Sequence, residues 1–168
     1  MRRIVIWLWL ALLAGAAEVS ELKTFPIESM KGVISQTGVK FVRDISADGN
    51  GSLRLKARKP TTFHLYETGD LDLQQAVVFY RAKVRTGGIK GEAYLEMWCH
   101  FPGRGEYFSR GLQYSLSGNN NWTSVETSFM LRKGENPDNI RLNLVINGRG
   151  TAWIDDIRLE KGPLPPGA

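Results

Sequence analysis

The residues able to do chemistry are few. The chain holds two histidines, His64 and His100, and a single cysteine, Cys99. It has no Gly-x-Ser-x-Gly elbow, no His-Glu-x-x-His pair, no phosphate-cradling glycine loop and no Cys-x-x-Cys, so the common nucleophilic, metal-hydrolytic and nucleotide-dependent chemistries lack their parts. Glycoside hydrolysis needs two carboxyl groups held a few ångströms apart, and Glu96 beside Glu67 or Glu106 can be written that way. A small sandwich hydrolase or lyase would add His100 and Tyr94 to Glu96. Spacing alone does not bring any of these together, and the chain is read as non-enzymatic. Cys99 has no partner for an internal disulfide. It also has no basic or metal context to lower its pKa, which makes it a core thiol rather than a nucleophile.

Spacing is informative in a different way. In Glu92–Phe101 the residues Ala93, Leu95, Met97, Cys99 and Phe101 share one parity and Tyr94, Glu96, Trp98 and His100 the other. Successive side chains of a strand point to opposite faces, so the first set is core and the second is displayed outside. The same count on Thr61–Glu67 turns Phe63 and Leu65 inward and His64 and Tyr66 outward. On Ile140–Asn147 it turns Ile140, Leu142, Leu144 and Ile146 inward, with Arg141, Asn143 and Val145 outward. Tyr, Trp and His interleaved with Arg, Asn and Glu is an unusual outer face. It suits sugars, whose C–H faces stack on aromatic rings and whose hydroxyls take planar, paired donors and acceptors. The bland alternative is that these rings pack under loops.

The elements that must position these residues are strands. No stretch past the first residues has the three-to-four apolar spacing of an amphipathic helix. Ten short segments are expected: Lys23–Ile27, Val39–Arg43, Ser52–Ala57, Thr61–Glu67, Ala76–Thr86, Glu92–Phe101, Leu112–Leu116, Trp122–Leu131, Ile140–Asn147 and Thr151–Glu160. Asp48-Gly49-Asn50-Gly51, Thr86-Gly87-Gly88, Pro102-Gly103-Arg104-Gly105 and Asn147-Gly148-Arg149-Gly150 supply turn residues between them. The fold class is all-β, a two-sheet antiparallel sandwich.

Met1-Arg2-Arg3, the apolar run Ile4–Leu13 and the small residues Ala14-Gly15-Ala16 read as a secretory signal peptide over residues 1–17. The apolar run is short of the ~20 residues a membrane span needs. The alternative is an uncleaved anchor. The expected location is secreted or periplasmic, with no membrane span after processing. The 168 residues, 42% hydrophobic and 23% charged, then leave one β domain over residues 18–161 and a flexible Pro/Gly tail over residues 162–168. The net charge of +5 is modest and comes with no Lys/Arg block, which argues against a nucleic-acid partner.

The closing segment Gly150-Thr151-Ala152-Trp153-Ile154-Asp155-Asp156-Ile157-Arg158-Leu159 follows the alternating strand Asn139–Leu144 and a strand led by Trp122. This order resembles the last strands of jelly-roll carbohydrate-binding modules of the cellulose- and xylan-binding type. The resemblance implies a jelly-roll β-sandwich in which strands alternate between sheets. It places Thr61–Glu67, Ile140–Asn147, Glu92–Phe101 and Leu112–Leu116 side by side in one sheet. Ser52–Ala57, Thr151–Glu160, Ala76–Thr86 and Trp122–Leu131 form the other. The first sheet then presents His64, Tyr66, Tyr94, Glu96, Trp98, His100, Gln113, Arg141 and Asn143 together as a polysaccharide or oligosaccharide platform. The second sheet presents a basic face of Phe79, Arg81, Lys83 and Arg85 with Arg54 and Lys56, able to meet an acidic polymer or a partner; the alternative is a solvated face. Many such modules hold a structural calcium, which implies Glu28 with Asp155 or Asp156 as ligands; the alternative is an Asp that accepts backbone amides at a strand bulge. The functional expectation is a non-catalytic carbohydrate-binding module. The alternative is a structural or assembly protein of the cell envelope that uses the same aromatic and Arg-rich face as a protein interface.

Overall fold

A computed structural model describes residues 18–168. The expected signal peptide, residues 1–17, lies outside the described residues. The described residues form eight strands: β1 Ser20–Phe25, β2 Val39–Val42, β3 Ser52–Ala57, β4 Thr61–Gly69, β5 Ala76–Phe101, β6 Gly105–Arg110, β7 Leu116–Leu131 and β8 Asn139–Gly162. One 3-10 turn, Leu112–Tyr114, joins β6 to β7. All strand pairs are antiparallel.

Two of these strands are long because each serves both sheets. The sheet here called the front has the order β4, β8 through residues 139–147, β5 through residues 92–101, then β6. The back sheet runs β2, β3, β8 from residue 150, β5 through residues 76–87, then β7, with β1 beside the end of β8. The sheet memberships expected from the closing motif hold, with one exception. Leu112–Leu116 is not the fourth front strand; residues 112–114 form the 3-10 turn and Gly105–Arg110 takes that place.

The expected turns at Thr86-Gly87-Gly88 and Asn147-Gly148 are corners at which paired strands pass from sheet to sheet. Gly91 and Gly148 face each other there, with φ of +100° and +151°. A Cβ on Gly148 would stand 1.9 Å from the Lys90 carbonyl oxygen, and one on Gly91 2.1 Å from that of Asn147. Only glycine lets two backbones cross this closely in this conformation.

The interior between the sheets is filled as alternation requires. Phe63, Leu65, Leu95, Met97, Leu142 and Leu144 of the front sheet meet Leu53, Leu55, Val78, Tyr80, Ile154 and Leu159 of the back sheet in one buried cluster. Cys99 is fully buried in it, and burial pushes its thiol up to about 12. Two of the breaks in register bear on the expected site residues. At β4 the register slips between His64 and Tyr66. At β8 it slips opposite Arg81 and Lys83, where Asp156 has a φ of +51°. Both are bulges, in which one extra residue turns the side chains beyond it to the other face.

Candidate functional site

The outer face of the front sheet is organised in rows that run across the strands. One row is His64 on β4, Asn143 on β8, Glu96 on β5 and Arg110 on β6, each the register partner of the next. It is bonded end to end. His64 Nδ1 lies 3.0 Å from Asn143 Oδ1, and Asn143 Nδ2 donates to Glu96 Oε1 at 3.1 Å. Arg110 Nε donates to Glu96 Oε2 at 2.8 Å. Asn143 has no exposed surface and Glu96 only 3%, so the row forms a floor in which every member has a partner, as buried polar groups require.

The next row is Glu67, Arg141, Trp98 and Phe108, again strand by strand. Glu67 and Arg141 form an ion pair at 2.8 Å. The Trp98 and Phe108 rings lie 4.9 Å apart, tilted by 41°, and Phe108 is 48% exposed. The two rows are tied together, because the Trp98 indole N–H donates to Glu96 Oε1 at 2.7 Å. His100, Asn139 and Glu106 form a third row, with His100 Nδ1 2.5 Å from Asp138 Oδ1. Tyr94 and Val145 close the other end as buried neighbours.

Hydrogen bonds set the electrostatics of the two rows. Burial pulls the Glu96 carboxyl upward, but hydrogen bonds from Arg110, Trp98 and Asn143 outweigh it and hold the group below the ordinary Glu range. The Arg141 hydrogen bond does the same to Glu67. A glycosidase acid needs its carboxyl raised, whereas Glu96 and Glu67 are shifted the other way.

His64, Tyr94, Glu96, Trp98, His100, Arg141 and Asn143 thus share one outer face. Tyr66 does not. The bulge puts it opposite Leu142, an inward residue. It lies at the core, 7% exposed, stacked on Phe25 with centroids 4.9 Å apart, and burial pushes its hydroxyl up to about 12. The outward place passes to Glu67. The backbone of Ile34 and Ser35 follows the free edge of β4 at this point, donating to the carbonyls of Leu65 and His64. Gln113 also leaves the platform. It sits on the exposed 3-10 turn, whose neighbouring Tyr114 lines a hollow with Arg81, Lys83 and Arg158 of the back sheet.

Phe108 and Arg110 belong to the face beside Glu106, and these two were not foreseen. They stand on β6, whose residues are almost all exposed on both sides, so it carries no apolar alternation to announce a strand. Glu67 and Glu106 were foreseen only as carboxylate partners of Glu96.

The carboxylates expected to hold calcium are dispersed. Asp155 is buried. Its Oδ2 accepts from the amides of Ala47 at 2.8 Å and Asp48 at 3.3 Å and lies 3.2 Å from the Ser46 hydroxyl, while Oδ1 accepts from the Asp156 amide at 2.8 Å. It fastens the 46–48 loop to the β8 bulge. Asp156 faces Arg158 at 3.7 Å, and Glu28 is exposed in the segment after β1. Among the described residues no group of three or more His, Cys, Asp or Glu is arranged to hold a metal ion, so Glu28, Asp155 and Asp156 do not come together as a set of carboxylate ligands for calcium.

No family model matches the sequence, and no curated protein matches it. Solved structures do. The CBM22-1 xylan-binding domain of Paenibacillus barcinonensis Xyn10C superposes with a TM-score of 0.63 at 13% identity, covering 89% of this chain and 98% of that one. The CBM22-1–GH10 modules of Clostridium thermocellum xylanase 10B, complexed with xylohexaose, give 0.62 at 14% identity over 83% of this chain, which spans 28% of that longer chain. TmCBM61 in complex with β-1,4-galactotriose gives 0.53 at 14% identity, over 83% and 97%. At such identities the likeness establishes the fold, a jelly-roll sandwich shared with carbohydrate-binding modules. Among the described residues no helix is long and apolar enough to cross a membrane.

Proposed function

We propose that this chain is a non-catalytic glycan-binding module whose ligand lies across the outer face of the front sheet. The observation that carries the reading is the pair of adjacent rows in which Trp98 and Phe108 continue Arg141 and Glu67, above a bonded floor of His64, Asn143, Glu96 and Arg110. A sugar ring seated on Trp98 and Phe108 meets guanidinium and carboxylate groups whose positions are set before it arrives. Rigid, preformed sites of this kind lose little on binding. Arg141 and Arg110 each face a glutamate, so the face is close to neutral and favours an uncharged polysaccharide. A xylan-binding domain and a module in complex with β-1,4-galactotriose, both of the same fold, support that choice.

The test is binding of a neutral β-1,4-linked glycan panel, beginning with xylan and galactan oligosaccharides, by titration calorimetry. Trp98→Ala should lose most of the affinity, since the indole supplies the apolar face on which the C–H side of the sugar ring would rest. Undiminished binding in that variant would remove the platform from the account. Concentration-dependent self-association weakened by the same substitution, with no glycan bound, would favour the assembly reading.

A further inference from the structure

The outer face of the back sheet carries a second aromatic and cationic array, differently charged. Arg54 on β3 is the register partner of Trp153 on β8, and Trp153 that of Arg85 on β5. The Arg85 guanidinium stands 5.8 Å from the Trp153 ring centroid. Beside them is a hollow of about 500 Å³ walled by Trp153, Arg85, Gly87 and the run Asn119–Asn121. Gly87 keeps it open. Its φ is not in the left-handed region, but a Cβ there would come within 3.2 Å of the Trp153 ring, so any side chain would crowd the indole.

The three asparagines are already oriented. Asn119 Oδ1 accepts from the Gly88 amide at 2.7 Å, Asn120 Nδ2 donates to Thr86 Oγ1 at 2.9 Å, and Asn121 Oδ1 accepts from the Trp122 amide at 2.9 Å. Among the described residues the Nδ2 groups of Asn119 and Asn121 have no protein acceptor, which leaves two fixed donors at the rim. The row Lys56, Thr151, Gly87 joins this hollow to another of about 320 Å³ walled by Lys56, Arg58, Lys90 and Arg149. Among the described residues Arg54, Lys56, Arg58, Arg85, Lys90 and Arg149 take part in no ion pair.

We infer that this corner is a second binding site, for a carboxylated polysaccharide. One indole with fixed amide donors reads a sugar ring and its hydroxyls, and the unpaired guanidinium and ammonium groups on both sides of it meet a carboxylate on each successive residue. A lipid surface fits less well. The exposed large apolar residues are Val19, Ile34, Tyr107, Phe108, Leu112, Tyr114 and Met130, none of which lines either hollow, so nothing there is placed to insert. The site lies on the opposite sheet from the proposed neutral-glycan platform and stands independently of that reading.

The experiment is native affinity electrophoresis of the protein in gels containing polygalacturonate, with xylan gels alongside. Polygalacturonate should retard the protein, and added salt should weaken the effect. The double substitution Arg54→Glu and Arg85→Glu, at a half-buried and an exposed position, should cut retention, measured against a polysaccharide-free gel, by at least about tenfold and leave retention by xylan on the same scale unchanged. Trp153→Phe should weaken retention severalfold, while Trp98→Ala should leave it intact. Undiminished retention of the double variant would overturn the proposal. So would equal retention by DNA, polyglutamate or phosphatidylserine vesicles with no dependence on Trp153, since charge alone would then account for it.

Discussion

Replacing Glu96 should separate the buried floor of the platform from its exposed rim. The Glu96 side chain accepts from Asn143, Trp98 and Arg110 at 3.1, 2.7 and 2.8 Å, and these donors differ in burial. Asn143 is sealed, so Glu96→Ala leaves its amide without an acceptor, at about 1–3 kcal/mol. Trp98 is half-buried and can find water in part. The Arg110 side chain is 43% exposed and can turn outward, so its contribution is under about 1 kcal/mol. Glu96→Ala should therefore cost about 3 kcal/mol in all. Glu96→Gln keeps one oxygen for Asn143 and Trp98 but turns an amide donor toward Arg110 Nε, and should cost about 1 kcal/mol. Arg110→Ala should cost less than either. Urea unfolding followed by tryptophan fluorescence reads these differences as shifts in midpoint at constant slope. If Glu96→Ala and Arg110→Ala prove equal, the carboxylate is not the hub of a buried row and the account of the floor fails.

Four further outcomes follow from the same structure. Because Glu96 and Glu67 have their carboxyls depressed in the folded state, their contribution is complete above the unfolded value of about 4.3 and is lost as pH falls through the lower folded values; urea midpoints should hold steady from pH 7 to about 5, then fall, and fall less in Glu96→Gln. Gly148→Ala brings a Cβ against the Lys90 carbonyl oxygen and should cost more than about 2 kcal/mol, read by thermal unfolding. Asp155→Ala removes the acceptor of the Ala47 and Asp48 amides and should cost about 1–3 kcal/mol, whereas neither calcium nor chelator should move the wild-type Tm; a calcium-dependent rise would show that the carboxylates reassemble. Cys99, buried with its thiol pushed up to about 12, should resist alkylation at pH 8 until urea unfolds the chain, as read by mass spectrometry.

Much of this face was legible in the sequence, for a definite reason. The central strands have one buried side, so Leu95, Met97 and Cys99 on β5 and Leu142 and Leu144 on β8 announce themselves by alternation, and their neighbours follow. What escaped notice was whatever alternation does not encode. A bulge adds a residue without changing composition, so Tyr66 in Phe63-His64-Leu65-Tyr66 has the parity of an outward residue while its ring lies against Phe25. An edge strand such as Gly105–Arg110, exposed on both sides, has no buried set to repeat. A corner crossed by two paired strands asks for the same glycines as a hairpin, which is why Gly87-Gly88 and Gly148 read as turns.

The two outer faces share a vocabulary of indole, guanidinium and amide but differ in how the cations are paired. On the front sheet Arg141 faces Glu67 and Arg110 faces Glu96, so each guanidinium is orientated by a carboxylate of this chain and its field is largely cancelled. On the back sheet Arg54 and Arg85 flank Trp153 and, among the described residues, form no ion pair. An ion pair supplied by the protein leaves hydrogen-bonding edges for hydroxyls, whereas an unpaired cation beside a ring has its best partner in a charged ligand. Neutral glycan retention should thus be almost indifferent to ionic strength and polyuronate retention should fall with it. Measuring both on one protein separates the faces without any substitution; parallel salt dependence would mean that a single surface binds both polymers.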